Sequence, residues 1–364
     1  MAATRLLAAA LCLPGLAQAE AAPDRGLISL KYLDYLDSQP GADRVRIKAP
    51  ALHVLAPIAG NWSLGATAIS DAISGASPAF HTRALSKLTD ERNAADLTLT
   101  HYLADGSISL GGAYSSESDY VSRGFSLSGS WSSEDRNRSW SAGIGSSRDD
   151  INPVTRIVRD EHKQVLDLSF GLTQVLNPKN VLQATLGHNR ARGYLSDPYK
   201  LFDERPRARH ATRLLLRWNQ HLEDGGQTLR WHYRHYRDSY GVRAHTAGLE
   251  FVQPLPAGLS LTPSLRLHSQ GKARFYVEVD PEAAPFPTQP PEDAQYHSLD
   301  PRLSSFGALT AGLKLAWQID ADWSTDLKFE HYAQRGGWYL GGAGSTDLAP
   351  FKARSWQLGL SRAF

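Results

Sequence analysis

Apolar and polar residues alternate with period two along most of this chain, and no other feature constrains its fold as strongly. In "WSTDLKFEHY", Trp323, Thr325, Leu327 and Phe329 share one face, and Ser324, Asp326, Lys328 and Glu330 share the other. "NVLQATLGHN" sets Leu182, Ala184 and Leu186 against Gln183, Thr185 and Asn189. The pattern recurs in Asp96 to Tyr102, Gly106 to Ala113, Ser126 to Trp131 and Ser355 to Phe364. Side chains in a strand point alternately to its two faces, so these are strands with one apolar face each.

Short turns punctuate the strands: Ala59-Gly60-Asn61, Asp105-Gly106, Glu134 to Asn137, Asn177-Pro178-Lys179, Asp224-Gly225, Pro256-Ala257-Gly258 and Asp320 to Asp322. Each holds Gly, Pro, Asn or Asp where a hairpin needs special backbone angles. Between them lie longer polar stretches at 76–91, 149–161, 193–207, 278–304 and 338–350. Short turns at one end and long loops at the other is the layout of a transmembrane antiparallel outer-membrane β-barrel. Trp62, Trp131, Trp140, Trp317 and Trp323 all lie close to short turns, where amphipathic rings form an interfacial girdle. A soluble sandwich would alternate too, but would not combine the turn asymmetry with the girdle.

The seven short turns define fourteen strands between Arg44 and Trp338, and residues 351–364 add a last one. That strand must end at the short-turn, periplasmic side. Parity then requires a first strand, and Leu27 to Asp37 supplies it, for about sixteen in all. The count depends on that strand and on two very short outer connections, near Ser116 to Tyr120 and Tyr240 to Val242. Without them it falls to fourteen.

The first residues, "MAATRLLAAALCLPGLAQAEAAPD", carry Arg5, an apolar stretch from Leu6 to Leu16 and an A-x-A site at Ala17 to Ala19. They read as a cleaved signal peptide over 1–19, leaving one barrel domain over 20–364 in the cell outer membrane. Cys12 follows Leu11 rather than a small residue, which argues against lipidation. Cleavage removes the only Cys, the only Met and one of 39 basic residues, leaving 38 against 37 acidic ones. Net charge therefore gives a polyanion partner no support. Past the signal no run of 18 apolar residues spans a membrane as a helix, which leaves strands free to do so.

The densest chemistry is "TLRWHYRHYRDSY", Thr228 to Tyr240. Interleaved aromatic and basic residues suggest a nucleic-acid surface, and close histidines suggest a metal. Period two splits the stretch. Leu229, Trp231 and Tyr233 face lipid, while Arg230, His232, Arg234, Tyr236 and Asp238 face the lumen. His232 and His235 point to opposite sides and cannot share an ion; half the stretch faces outward, which excludes nucleic acid. His235 and Arg237 share the outward parity and fit only at the outer rim.

A two-residue turn at Asp224-Gly225 would pair Trp218 with Trp231, Leu216 with Tyr233, Arg217 with His232, Arg213 with Tyr236 and Asn219 with Arg230. A three-residue connection with Gly241 in a left-handed conformation would place Glu250 opposite His232. The expected site is thus a lumenal row of Arg217, His232 and Glu250, with Arg213, Arg230 and Arg234 above and below. It serves either as a salt-bridge ladder that stiffens the wall or sets ion preference, or as a relay in which Glu250 raises the His232 pKa. There is no G-x-S-x-G, no H-E-x-x-H and no phosphate loop. "GGAYSSES" and "YLGGAGST" lie in or beside strands, where Gly serves curvature or a turn. No metal and no cofactor is expected.

The stretches 56–81, "GYLSDPYK" (193–200), 232–255 and the terminal Phe resemble the bacterial family known as domain of unknown function 3570, over essentially the whole mature chain. The specific part is "GYLSDPYK" followed by Y-R-x-Y-R-D-S-aromatic-G, with His235 at x. The resemblance implies an outer-membrane barrel encoded near a small lipoprotein, a thioredoxin-like protein and a periplasmic flavin transferase, which hints at an envelope redox system. No D-G-A-[ST] flavin-attachment motif is present, so a conduit or scaffold role is favoured over flavin carriage. Tyr194, Asp197, Pro198, Tyr199 and Lys200 form an outer-loop motif in which Asp197-Pro198 favours a turn. The loop either folds into the mouth or packs on the rim. Phe364 ends an amphipathic strand with Trp356, Leu358, Leu360 and Arg362 in phase, and so resembles the signal read by the barrel-assembly machinery. The partners expected are outer-membrane lipid, that machinery, and a small lipoprotein or periplasmic redox protein. Three functions follow in order: a conduit for a small polar solute or an envelope redox partner; a non-conducting interaction barrel scaffolding a redox complex; and, last, a rim-sited enzyme.

Overall fold

The computed structural model describes residues 21–76, 87–200, 202–279 and 289–364. The signal segment expected at 1–19 lies outside the described residues, as do 77–86 and 280–288 of the loops expected at 76–91 and 278–304. Among the described residues sixteen strands form a closed antiparallel barrel. The first eight are β1 (Leu27–Gln39), β2 (Ala42–Ala59), β3 (Trp62–Ala76), β4 (Lys87–Leu103), β5 (Gly106–Ser116), β6 (Tyr120–Ser132), β7 (Arg138–Ile151) and β8 (Glu161–Asn177). Then come β9 (Asn180–Gly193), β10 (Ala208–His221), β11 (Thr228–Asp238), β12 (Arg243–Pro254), β13 (Leu259–Gln270), β14 (Phe306–Gln318), β15 (Trp323–Arg335) and β16 (Phe351–Ala363). The first strand and both short outer connections on which the count of sixteen rests are present.

The burial pattern is inverted relative to a water-soluble protein. Ser29, Ser63, Asp71, Ser107 and Asp149 are buried, while Leu97, Phe125 and Leu358 are each more than half exposed. Polar side chains predominate in the lumen, beside one apolar cluster of Leu33, Ile47 and Ala49, and apolar ones coat the outside, which is stable only where hydrocarbon covers the outer face. The girdle is in place at the short-turn end. Trp131 and Trp140 pair across β6 and β7 with stacked rings 6.2 Å apart. Trp317 Nε1 donates to the carbonyl of Ala257 at 3.1 Å.

The barrel closes by pairing β1 with β16, from Leu27 opposite Ala363 to Ser38 opposite Lys352. Beyond the strands, Gly26 N donates to Phe364 O at 2.8 Å and Phe364 N to Gly26 O at 2.9 Å. A Cβ on Gly26 would sit 2.3 Å from Cζ of the Phe364 ring, so only glycine lets that ring lie against the seam.

The 220s turn differs from the expected two-residue form. Leu222 N donates to Gln227 O at 2.8 Å across four residues, Glu223 to Gly226, with Gly226 at φ +66°. Two- and four-residue connections centred on one point keep the same pairing. Trp218 therefore still faces Trp231, and Arg217 still faces His232.

Candidate functional site: the lumen wall and the outer mouth

The basic wall is built by β9 to β13. On β10 and β11 the lumenal positions carry Arg213, Arg217, Arg230, His232 and Arg234, while Leu216, Trp218, Trp231 and Tyr233 are exposed on the outer face. Across β11 and β12 the register differs from expectation by two residues. His232 faces Gly248, and Glu250 faces Arg230. The cause is local to the turn. Asp238 takes backbone N–H bonds from Tyr240 and Val242, both at 3.0 Å, so the hairpin closes at Asp238 and Val242. Gly241 has the expected positive φ, +95°. The expected row of Arg217, His232 and Glu250 is thus corrected to two rows: Arg217, His232 and Gly248, and below it Asn219, Arg230 and Glu250. A Cβ on Gly248 would come within 2.1 Å of the His232 ring, so the imidazole lies over the glycine. Glu250 lies diagonal to His232 rather than directly across from it.

Charge matching in this wall is loose. Arg213 reaches Asp167 at 3.5 Å and Arg230 reaches Glu250 at 3.7 Å. Arg217 donates to Gln183 Oε1 at 3.1 Å. Arg234 has no carboxylate in ion-pair contact among the described residues. Sequence reading missed Arg266 and His268 on β13. Arg266 faces Gly248 across the sheet and His268 faces Thr246, which brings both beside the row; their plain alternation in "LSLTPSLRLHSQ" was the available signal. Next to it round the barrel, beyond β8, the wall of β5 to β7 is lined by small groups: Ser107, Ser109, Ser126, Ser128, Ser141 and Gly143.

His235 pairs with His245 on the outer face, their rings 5.1 Å apart, with Tyr233 Oη hydrogen-bonded to His245 Nδ1 at 2.7 Å. His232 and His235 are therefore on opposite faces. Among the described residues no group of three or more His, Cys, Asp or Glu is placed to hold a metal ion.

The outer-loop motif reaches into the mouth. Lys200 N donates to Asp197 O at 3.1 Å, a β-turn with Pro198 at its second position. Tyr199 donates its hydroxyl to Asp119 in the β5–β6 connection. Asp197 receives Arg302 Nη2 at 2.6 Å from the long β13–β14 loop. Tyr194 lies 5.9 Å from the guanidinium of Arg207, and burial followed by nearby carboxylates pushes its hydroxyl up to about 12. Lys200 is drawn into this interior, and burial pushes its ammonium pKa down.

At the centre is Asp300, whose side chain is fully buried. Arg205 Nη2 reaches it at 2.7 Å, and Arg302 Nε donates to both its oxygens, at 2.8 and 2.6 Å. Arg205 also holds Asp203 at 2.8 Å. Burial alone would raise the Asp300 carboxyl. Arg302, then Arg205 and Lys200, outweighs it and holds the group well below the usual carboxylate range. Beside this network Tyr240, Val242, Ala273, Tyr276 and Leu303 pack into an apolar cluster. Tyr276 donates to Asp347 at 2.6 Å, tying in the β15–β16 loop. Asp300, Arg302 and Arg205 were not identified from sequence.

The barrel is similar in fold to a bacterial polysaccharide outer-membrane secretin, at a TM-score of 0.53 and 9% identity over 93% of this chain and 98% of that one. It is similar also to CdiB from Acinetobacter baumannii, at 0.51 and 10% identity over 92% of this chain and 60% of that one. Against the siderophore receptor PirA from Pseudomonas aeruginosa the TM-score is 0.45 at 12% identity; 86% of this chain aligns, and it spans 56% of the receptor. These likenesses establish an outer-membrane barrel fold. No curated protein matches the sequence. The family model described as "Protein of unknown function (DUF3570)" matches residues 84–355, and the chain belongs to that family.

Proposed function

We propose that the barrel is a conduit for a small polar solute, with anions favoured. The observation that carries this is the wall of Arg213, Arg217, Arg230, Arg234 and Arg266. Among the described residues only two carboxylates, Asp167 and Glu250, are held on it, both loosely, and the wall next to it on β5 to β7 is lined by serine and glycine. Rings or arcs of arginine in a wet pore concentrate anions and set selectivity. The test is conductance in planar bilayers under a salt gradient. The wild-type reversal potential should report anion preference, and Arg234→Ala should move it toward cations. A folded protein that conducts with no dependence on Arg234 would sink the anion reading.

A second reading is an interaction barrel with a sealed mouth that scaffolds a periplasmic lipoprotein or redox partner. The buried Asp300 network favours it, because that network ties the loops together across the outer opening. Absence of conductance in the wild type, with conductance restored by Asp300→Asn, identifies a closed mouth. Absence in both, with co-purification of a periplasmic protein, supports the scaffold.

A further inference from the structure

The lipid-facing side changes character toward the long-loop end. On β9 the outward positions run Leu182, Ala184, Leu186 and then His188, Arg190, Arg192. On β11 Trp231 and Tyr233 give way to Arg237, and on β7 Ile144 gives way to Arg148. With Arg123 on β6 and Arg243 on β12, six arginines form an arc on the outer face over seven strands.

Their registry is unfavourable for an isolated protein. Arg123 directly faces Arg148, and Arg237 directly faces Arg243. Gln164 is flanked by Arg148 on one side and Arg192 on the other. Like charges directly opposite each other destabilise a sheet. The one carboxylate on this arc in ion-pair contact among the described residues is Asp150, taken by Arg123 at 2.6 Å and His162 at 3.0 Å. Arg148, Arg190, Arg192, Arg237 and Arg243 have no carboxylate partner among the described residues, and Nε of Arg190 is buried with no hydrogen-bond partner.

The position says what could neutralise them. Arg190 is four residues beyond Leu186, about 13 Å along a tilted strand at ~3.3 Å per residue. That places the arc at the upper margin of the apolar belt, where lipid headgroups lie. A guanidinium matches a phosphate group with two parallel hydrogen bonds, and basic clusters at a membrane surface recruit anionic headgroups.

We propose that this arc binds the phosphate groups of a phosphorylated glycolipid in the outer leaflet, held as a lateral ligand of the barrel wall. The proposal is independent of whether the lumen conducts. It is tested with the full-length barrel in detergent by native mass spectrometry. The probes are diphosphorylated lipid A and the same lipid with both phosphates removed. The wild type should retain the phosphorylated form at least tenfold better. Arg190→Gln/Arg192→Gln with Arg237→Gln/Arg243→Gln should abolish the difference, and Arg217→Gln in the lumen should leave it intact. Heat-modifiable gel mobility establishes that each variant is folded. If the quadruple variant does not fold, each pair alone should lower retention severalfold. Equal retention of the two lipids by the wild type overturns the proposal. So does displacement by millimolar inorganic phosphate, which would mark a free-anion site, and so does undiminished binding in folded variants.

Discussion

Two sets of arginines in this barrel are treated in opposite ways. In the outer mouth, Arg205 and Arg302 hold Asp300 and their neighbouring carboxylates at under 3 Å, and Asp300 and Asp203 are fully buried. In the lumen wall, Arg213 and Arg230 are 3.5 and 3.7 Å from their carboxylates, and both partners of each pair are more than 40% exposed. A charge removed from water must be paired closely or it is strongly destabilising, whereas one facing water need not be. Tight pairs therefore mark where the chain spends its charge on architecture. Loose ones mark charge left facing the water of the lumen.

The largest expected effect lies in the mouth. Asp300→Asn leaves two guanidiniums facing a neutral amide, and breaking a buried pair in this way costs about 3–5 kcal/mol. The loss is confined to the loops, because the barrel ladder does not run through Asp300. Amides of 194–200 and 297–303 should lose hydrogen-exchange protection while those of β10 and β11 keep theirs. A global loss of protection would mean that the mouth network holds up the barrel itself, and the division drawn above would fail.

Acid should loosen the same network without mutation. The Asp300 pKa is lowered in the folded protein, by Arg302 first among the cations and against the opposing effect of burial. A carboxylate depressed on folding contributes stability above its unfolded value, about 3.9, and loses it as pH falls through the folded value. Exchange protection in the mouth loops, taken relative to the intrinsic amide rate at each pH, should thus be flat from neutral pH to about 4 and should fall below it. In Asp300→Asn that acid-dependent step should be missing.

The lumen was far more legible in the sequence than the mouth, for a physical reason. Alternation assigns each strand residue to a face, so the positions of Arg217, His232 and Arg234 follow from parity. The pairing of Trp218 with Trp231 survived a wrong turn length because hairpins of two and four residues share a centre. Glu250 was misplaced by two residues because one side chain, Asp238, decides where the next hairpin closes. No periodicity encodes the mouth. Arg205 and Asp300 are 95 positions apart, and Asp197 and Arg302 are 105 apart. The "GYLSDPYK" resemblance drew attention to Asp197 and Lys200, but gave no sign of the loop they meet.

The smallest effect is the sharpest test of the comparison. Glu250 and Arg230 are directly cross-strand, as Asp300 and Arg302 are close in sequence, so both are ion pairs fixed by local geometry. They differ in water. Exposed pairs of this kind contribute about 0–1 kcal/mol. Glu250→Gln should therefore leave the temperature of the heat-modifiable gel shift nearly unchanged. It also removes one of the two carboxylates on the arginine wall, so the reversal potential should move further toward anions, opposite in sign to Arg234→Ala. That difference should shrink as salt is raised, because the Debye length falls from about 10 Å at 0.1 M to about 3 Å at 1 M. A destabilisation approaching that of Asp300→Asn would show that the lumen pair is structural despite its exposure, and pair distance would then say nothing about use.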